Sequence, residues 1–152
     1  MFTAEQEKLI QRETERLQGA DEAALGALNE DSVKRRTIWF NEHRAEFDFL
    51  AGDSLEAGYR LLLARFGITP EQAPVIERTE RRIVFHSKNF CPTLEACRRL
   101  GLDTRLVCKR LNELATDALV KLVDSRLTFS RNYEQLRPYA PYCEEMITLE
   151  RE

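Results

Sequence analysis

Cysteine and histidine are the residues here most able to do chemistry, and they cluster. The segment NFCPTLEACRRLGLDTRLVC, Asn89 to Cys108, holds Cys91, Cys97 and Cys108, and Cys143 follows in RPYAPYCEE. Proline suits the first position of a helix, so Pro92 places Cys91 at an N-cap. Unpaired backbone N–H groups and the positive end of the helix dipole meet a thiol there. Both favour the thiolate, the form that attacks electrophiles and binds metals. The expectation is therefore a lowered pKa at Cys91, with Glu95 opposing it. His86, just upstream and followed by Ser87, Lys88 and Asn89, is the candidate acid/base partner, because a Cys–His pair is the minimum for thiol nucleophilic catalysis.

A metal is the other use of such thiols. Cys91 and Cys97 are six residues apart, about 9 Å along a helix axis and on different faces, so they do not form a ligand pair. The C-x-x-C spacing of a zinc knuckle is absent. Cys91 and Cys143 both fall at strand–loop junctions, and a shared site there could hold zinc or iron. Cys97 and Cys108 flank Gly101 among leucines and alanines and read as small core hydrophobes facing each other across two packed helices. Arg131 and Arg137 are candidates to grip an anionic substrate by paired N–H donors, against the plainer alternative of surface ion pairs. His43, on the face Trp39–His43–Phe47–Leu50, reads as a hydrogen-bonded core histidine. Tyr133, Tyr139 and Tyr142 could line a pocket or pack the Pro138–Pro141 loop.

The elements that must carry these residues follow from periodicity. Residues 3–18 form a charged helix with a sparse apolar stripe, Phe2, Leu9, Ile10 and Leu17, that suits either a solvated helix or one docked on a second copy of the chain. A helical stretch follows Asp21. Asp31 and Ser32 then read as caps of a separate helix running to Leu50, and SLEAGYRLLLARFG makes another, stopped by Gly67. Residues 67–78 are turn-rich and read as a connector, and the RTERR run at 78–82 as a solvated strand edge. RRIVFHS reads as a strand, Pro92–Leu100 as a short helix, and Asp103 or Thr104 as the cap of a helix reaching Val123. RLTFSRNYE and EEMITLE alternate as two closing strands that could pair as an antiparallel ribbon. The expected fold is one α+β domain over residues 1–152. Residues 1–66 are helical, and 79–150 run strand–helix–helix–strand–strand, with a small antiparallel sheet covered by helices.

Composition bounds the function. The chain has 152 residues, 43% apolar and 32% charged, with a formal net charge of −3. That is enough apolar surface for a core. It offers no basic face for nucleic acid, no run of about 20 apolar residues to span a bilayer, and an N-terminus too charged for a signal peptide. The expectation is a cytoplasmic protein that binds no nucleic acid and no membrane, with reduced cysteines.

The order of strand, cysteine-bearing helix, second cysteine and final-strand cysteine over residues 80–149 resembles the family of L-2-amino-thiazoline-4-carboxylic acid hydrolases and their small cytosolic relatives. That resemblance implies opening of a C=N bond in a small anionic ring. For that chemistry Cys91 would act as nucleophile or metal ligand, His86 as acid/base, and Arg131 or Arg137 as carboxylate anchor. A looser likeness is to the vinyl-reductase type of small-molecule-binding domain. Two readings from other classes stay open: a non-catalytic metal- or ligand-binding sensor, and a structural protein with core cysteines that dimerises through its N-terminal helices.

Overall fold

The structure, a computed structural model, describes residues 1–150 and is an α+β fold with a helical N-terminal half. Two long helices open it, α1 (Ala4–Leu17) and α2 (Glu22–His43), followed by short 3₁₀ turns and α3 (Ser54–Phe66). The α1 start is a capping box in which the Thr3 side chain accepts from the Gln6 N–H and the Gln6 side chain accepts from the Thr3 N–H. Its stripe is not free for a second subunit. Ile10 and Leu17 are fully buried, and α1 packs along α4 (Pro92–Leu100) of the same chain.

No new helix begins at Asp31. Asp21 caps α2, its carboxylate accepting from the Ala24 N–H at 2.8 Å, and the helix runs unbroken to His43. One interior glycine, Gly26, costs a helix only about 1 kcal/mol, too little to stop it. Asp31 instead pairs with Arg35 one turn on. The buried residues of α2 are Leu25, Asn29, Ser32, Arg36 and Phe40. They recur at helical spacing on one face, and three of the five are polar.

The sheet has four antiparallel strands in the order β1-β2-β4-β3, with β1 Val75–Arg78, β2 Arg82–Ser87, β3 Leu127–Arg131 and β4 Cys143–Leu149. The strand β1 lies inside the segment expected to be a connector. It is a four-residue edge strand joined to β2 by a tight turn, in which the Thr79 hydroxyl accepts from the Arg81 and Arg82 N–H groups. The turn thus takes the middle of the RTERR run. The closing strands do pair, with Phe129 opposite Ile147 and Arg131 opposite Glu145.

Cross-strand partners share a face. Ile83, Phe85 and Ser87 of β2, Cys143, Glu145 and Ile147 of β4, and Leu127, Phe129 and Arg131 of β3 therefore point to the same side. The apolar members pack under α3 and α6 (Leu114–Val123) in the main core with Tyr59, Leu61, Leu62 and Leu119. A second cluster, Leu17, Leu25, Ala96, Cys97, Val107 and Leu111, joins α1, α2, α4 and α5 (Thr104–Cys108).

The expected helix from Asp103 to Val123 is present, capped by Asp103, but it contains a π-helical turn, Lys109–Glu113, between α5 and α6. No helix among the described residues is long and apolar enough to cross a membrane.

Helix α3 approaches the sheet closely because Gly58 has no side chain. A Cβ there would stand 3.2 Å from Leu127 Cδ1 and 3.6 Å from Ile147 Cδ1. Gly58→Val should therefore overpack this contact and cost about 1–3 kcal/mol in urea unfolding. A valine variant as stable as the parent would show that the helix does not press on the sheet there.

Candidate functional site

The C-terminal ends of β2 and β3 and the start of β4 meet at one end of the sheet, and a cavity of about 290 Å³ opens beneath them between the two hydrophobic clusters. Three cysteines reach its wall: Cys91, Cys108 and Cys143. So do four arginines, Arg16, Arg36, Arg131 and Arg137, and two carboxylates, Glu13 and Glu145. Cys91, Cys143, Arg131 and Arg137, the residues expected to form a site, share this wall. Cys108 joins them, while Cys97 is buried in the second cluster and does not reach the wall.

The two carboxylates already have partners. Glu145 accepts from the Ser87 hydroxyl and from Arg131 Nε at 3.1 Å. Glu13 accepts from Arg16 and from the Thr93 hydroxyl. The arginines are less well served. Arg36 is 7% exposed, donates from Nη1 to Thr116 Oγ1 at 3.0 Å, and lies over the Phe66 ring with its guanidinium carbon 5.0 Å from the centroid. Among the described residues no carboxylate pairs with it. Burial, and then the surrounding guanidiniums of Arg65, Arg131, Arg35 and Arg16, push its pKa down from the ordinary arginine value. The group stays charged at neutral pH, so the shift measures how unfavourably that charge is placed.

Arg131 is linked to Arg36 through hydrogen bonds. Its Nη2 donates to Asn112 Oδ1 at 2.6 Å. The Thr116 hydroxyl, which accepts from Arg36, lies 2.9 Å from the same Asn112 oxygen and 3.0 Å from the Asn112 carbonyl. Arg131 Nη1 is buried without a hydrogen-bond partner. Burial alone would lower the Arg131 pKa, but the Glu145 carboxylate, with help from the nearby Tyr133 hydroxyl, outweighs it and holds it above the ordinary value. Arg137 is fixed at both ends. Its Nη1 donates to the Asn89 carbonyl at 2.7 Å, and its own carbonyl accepts from the buried Thr104 hydroxyl at 2.8 Å. Its Nε donates to Cys143 Sγ at 3.3 Å.

The thiols depart from expectation in one respect. Cys91 is the N-cap of α4, yet burial raises its pKa despite opposing help from the Leu94 and Thr93 N–H groups and Arg137. A short helix end does not outweigh removal from water. Burial also pushes Cys97 and Cys108 up to about 12.

His86 does not join the wall. Strand alternation turns it to the other side of the sheet from Ser87 and Cys143, where its Nε2 donates to Glu144 Oε1 at 2.9 Å and its ring stacks on Tyr142, centroids 3.7 Å apart. The Cys91–His86 pair is not assembled. His43 donates from Nδ1 to the Trp39 carbonyl at 2.8 Å and stacks on the Trp39 ring. The loop tyrosines pack rather than line the cavity: Tyr133 donates to Glu113, Tyr139 to Asp103 and Tyr142 to Gln135.

Zinc or iron on Cys91 and Cys143 also fails to fit. Among the described residues no three His, Cys, Asp or Glu side chains converge as ligands would. Cys143 sulfur is already an acceptor from a guanidinium, and a cation placed on this wall would share it with four arginines.

Sequence reasoning missed Arg36 and Asn112, and with them Asn29, which holds Asn112 in place. The π turn carries Asn112 and Leu111 to the cavity, and π turns disturb the regular ladder of backbone bonds. Asn29, 4% exposed on α2, steadies this one by donating to the Arg110 carbonyl and accepting from the Ala115 N–H, both at 3.0 Å. The available signal was the polar face of α2, Asn29–Ser32–Arg36. No family model, no curated protein and no solved structure matches the chain.

Asn29→Ala should leave buried backbone groups of the π turn without these partners and cost about 1–3 kcal/mol, read by urea unfolding. Loss of less than about 0.5 kcal/mol would mean that the turn holds itself.

Proposed function

We propose that this protein binds a small organic anion in the cavity under the sheet end, with the carboxylate or an equivalent group held by Arg36 and Arg131. The observation that carries the reading is Arg36, a buried guanidinium on the cavity wall with no carboxylate partner among the described residues. Charges taken out of water are ordinarily paired. Four arginines against two carboxylates leave the wall with an excess of two positive charges. An anion would supply the missing counter-charge in a site of low dielectric, where the attraction is strong. The apolar part of the wall, Phe66, Ile68, Phe90 and Leu136 among others, suits a ligand with a small hydrophobic body.

The resemblance to thiazoline-carboxylate hydrolases fits the same class of ligand, a small ring bearing a carboxylate. Binding is the part of that reading the geometry supports best. Both wall carboxylates already accept from an arginine and a hydroxyl, and His86 stands elsewhere. A thiol on the wall would then be the group to test for ring opening, by cysteine-to-serine exchange.

The test is thermal unfolding and calorimetric titration with a panel of mono- and dicarboxylates, inorganic phosphate and L-2-amino-thiazoline-4-carboxylate, with neutral amides as controls. A ligand at a hundred times its Kd stabilises by about 2.7 kcal/mol, which for a chain of this size raises Tm by about 5–11 °C. Arg36→Met should abolish that shift. Because it removes an unpaired buried charge, it should also raise the stability of the free protein, on the order of 1 kcal/mol. A panel with no stabilising anion, or an Arg36→Met protein that keeps full binding, would overturn the reading.

A further inference from the structure

We infer that Cys143 is the nucleophilic thiol of the cavity and forms covalent adducts with small carboxylates that carry an electrophilic carbon. The inference rests on the anion-binding reading and adds to it the position and identity of a reacting atom.

Four observations place the reaction at Cys143 rather than at its neighbours. First, Cys143 lies on the inner face of the first residue pair of β4, opposite Ser87, and lines the cavity. Second, the Arg137 guanidinium is aimed at its sulfur, Nε to Sγ 3.3 Å, and is held there by the Asn89 carbonyl, while the Thr104 hydroxyl anchors the Arg137 backbone carbonyl. Reactive cysteines sit in such electropositive, partly exposed surroundings. Third, the same wall carries the unpaired Arg36 and the buried, unpartnered Nη1 of Arg131, which call for an anionic group within the same small space. Fourth, the competing thiols are disfavoured. Burial raises the pKa of Cys91, Cys97 and Cys108, and Cys97 lies outside the cavity in the second cluster.

The step is a simple displacement. The Cys143 sulfur attacks the electrophilic carbon, a C–S bond forms, and the leaving group departs with its bonding pair. The thiol proton passes to solvent, while Arg137 keeps its protons and its charge. No oxidant, reductant or metal takes part. Carboxylate recognition by Arg36 and Arg131 fixes one end of the reagent and holds its reactive carbon within the cavity that Cys143 lines. This is the effective-concentration gain expected of an oriented pair.

Two alkylating probes that differ only in charge test it. Iodoacetate and iodoacetamide deliver the same carbon and the same leaving iodide, but only iodoacetate is an anion. On the folded protein at neutral pH, peptide mass mapping should find the first adduct at Cys143. The ratio of iodoacetate to iodoacetamide rates should exceed that of the urea-unfolded chain by about tenfold or more, as a focusing positive site provides. An unreactive carboxylate such as propionate should slow iodoacetate labelling, and Arg36→Met should lower the ratio. Arg137→Gln should slow labelling by both reagents.

An adduct that forms first on Cys91 or Cys108 overturns the assignment of Cys143 while the anion titrations still stand. A folded chain with the same charge preference as the unfolded one overturns the link between the thiol and the anion site. Titrations that fail while Cys143 still reacts fastest with both reagents would sink the anion reading and, with it, the class of electrophile assigned here.

Discussion

An arginine buried without a carboxylate costs free energy, and Arg36 is placed so that the surrounding structure must hold it. It projects from the middle of α2, on the same face as Leu25 and Phe40, which are core residues. Turning it outward would require rotating the helix and exposing both of them. Apolar burial at the two ends of the stripe thus forces a charge into the interior at its centre. The protein answers with weak substitutes for a counter-ion: a threonine hydroxyl, an aromatic face and, through Thr116 and Asn112, a hydrogen-bonded route to Arg131. That route ties α2, α6, the π turn and β3 into one unit. A wall cross-linked in this way holds its charged groups in place before anything enters the cavity, which is what preorganisation of a charged site means.

The sheet order makes the rest of the wall. Inserting β4 between β2 and β3 sets the C-terminal ends of two strands beside the N-terminus of a third. Ser87, Arg131, Cys143 and Glu145 are therefore neighbours although they are far apart in the chain. The loop between β3 and β4 brings in Arg137, and the loop after β2 brings in Asn89 and Cys91. Strand alternation then acts as a filter. Ser87 and Glu145 face the cavity, while His86 and Glu144, one residue away in each case, face the other side and pair with each other. A shift of one residue in the β2–β4 register would exchange the two sets, so the alignment of that strand pair decides the chemistry of the site.

Much of the fold was legible because its signals are local. The Asp103 cap, the glycine after α4 and the alternation of the closing strands each depend on a few neighbouring residues, and the structure contains what they indicate, whereas Asp31 and Ser32, which read as caps, lie inside α2. Strand β1 was not legible, since four edge residues following a proline carry almost no pattern. The site was legible only by residue type. Cysteines and arginines drew attention to Cys91, Cys143, Arg131 and Arg137, and tertiary packing gathers them. The face of a strand relative to a later loop is not a local property, and so His86 was misplaced. Arg36 was hidden for a further reason. A helix with polar residues on its buried face has no clear apolar stripe, and the charged middle of α2 reads as a solvent-facing surface. A polar run framed at helical spacing by Leu25 and Phe40 is itself a signal, because the framing residues leave the run no other direction to face.

The contrast between Cys91 and Cys143 shows which electrostatic term governs this cavity. Cys91 has the position that sequence reasoning favours, a helix N-cap followed by proline, and its thiol is nevertheless held neutral by burial. The partial charge of a helix end acts over about one turn and amounts to about half an elementary charge. A full guanidinium in hydrogen-bond contact is the better-directed partner, and it is Cys143 that receives it. Arg137 can serve sulfur in this way because, among the described residues, no acid pairs with it: its other side-chain contact is a neutral carbonyl. An added carboxylate near Arg137 would draw its charge away from sulfur. Two cationic positions on one wall, Arg36 with Arg131 and Arg137 at the sulfur, are what would let a charged ligand and a thiol meet in one cavity.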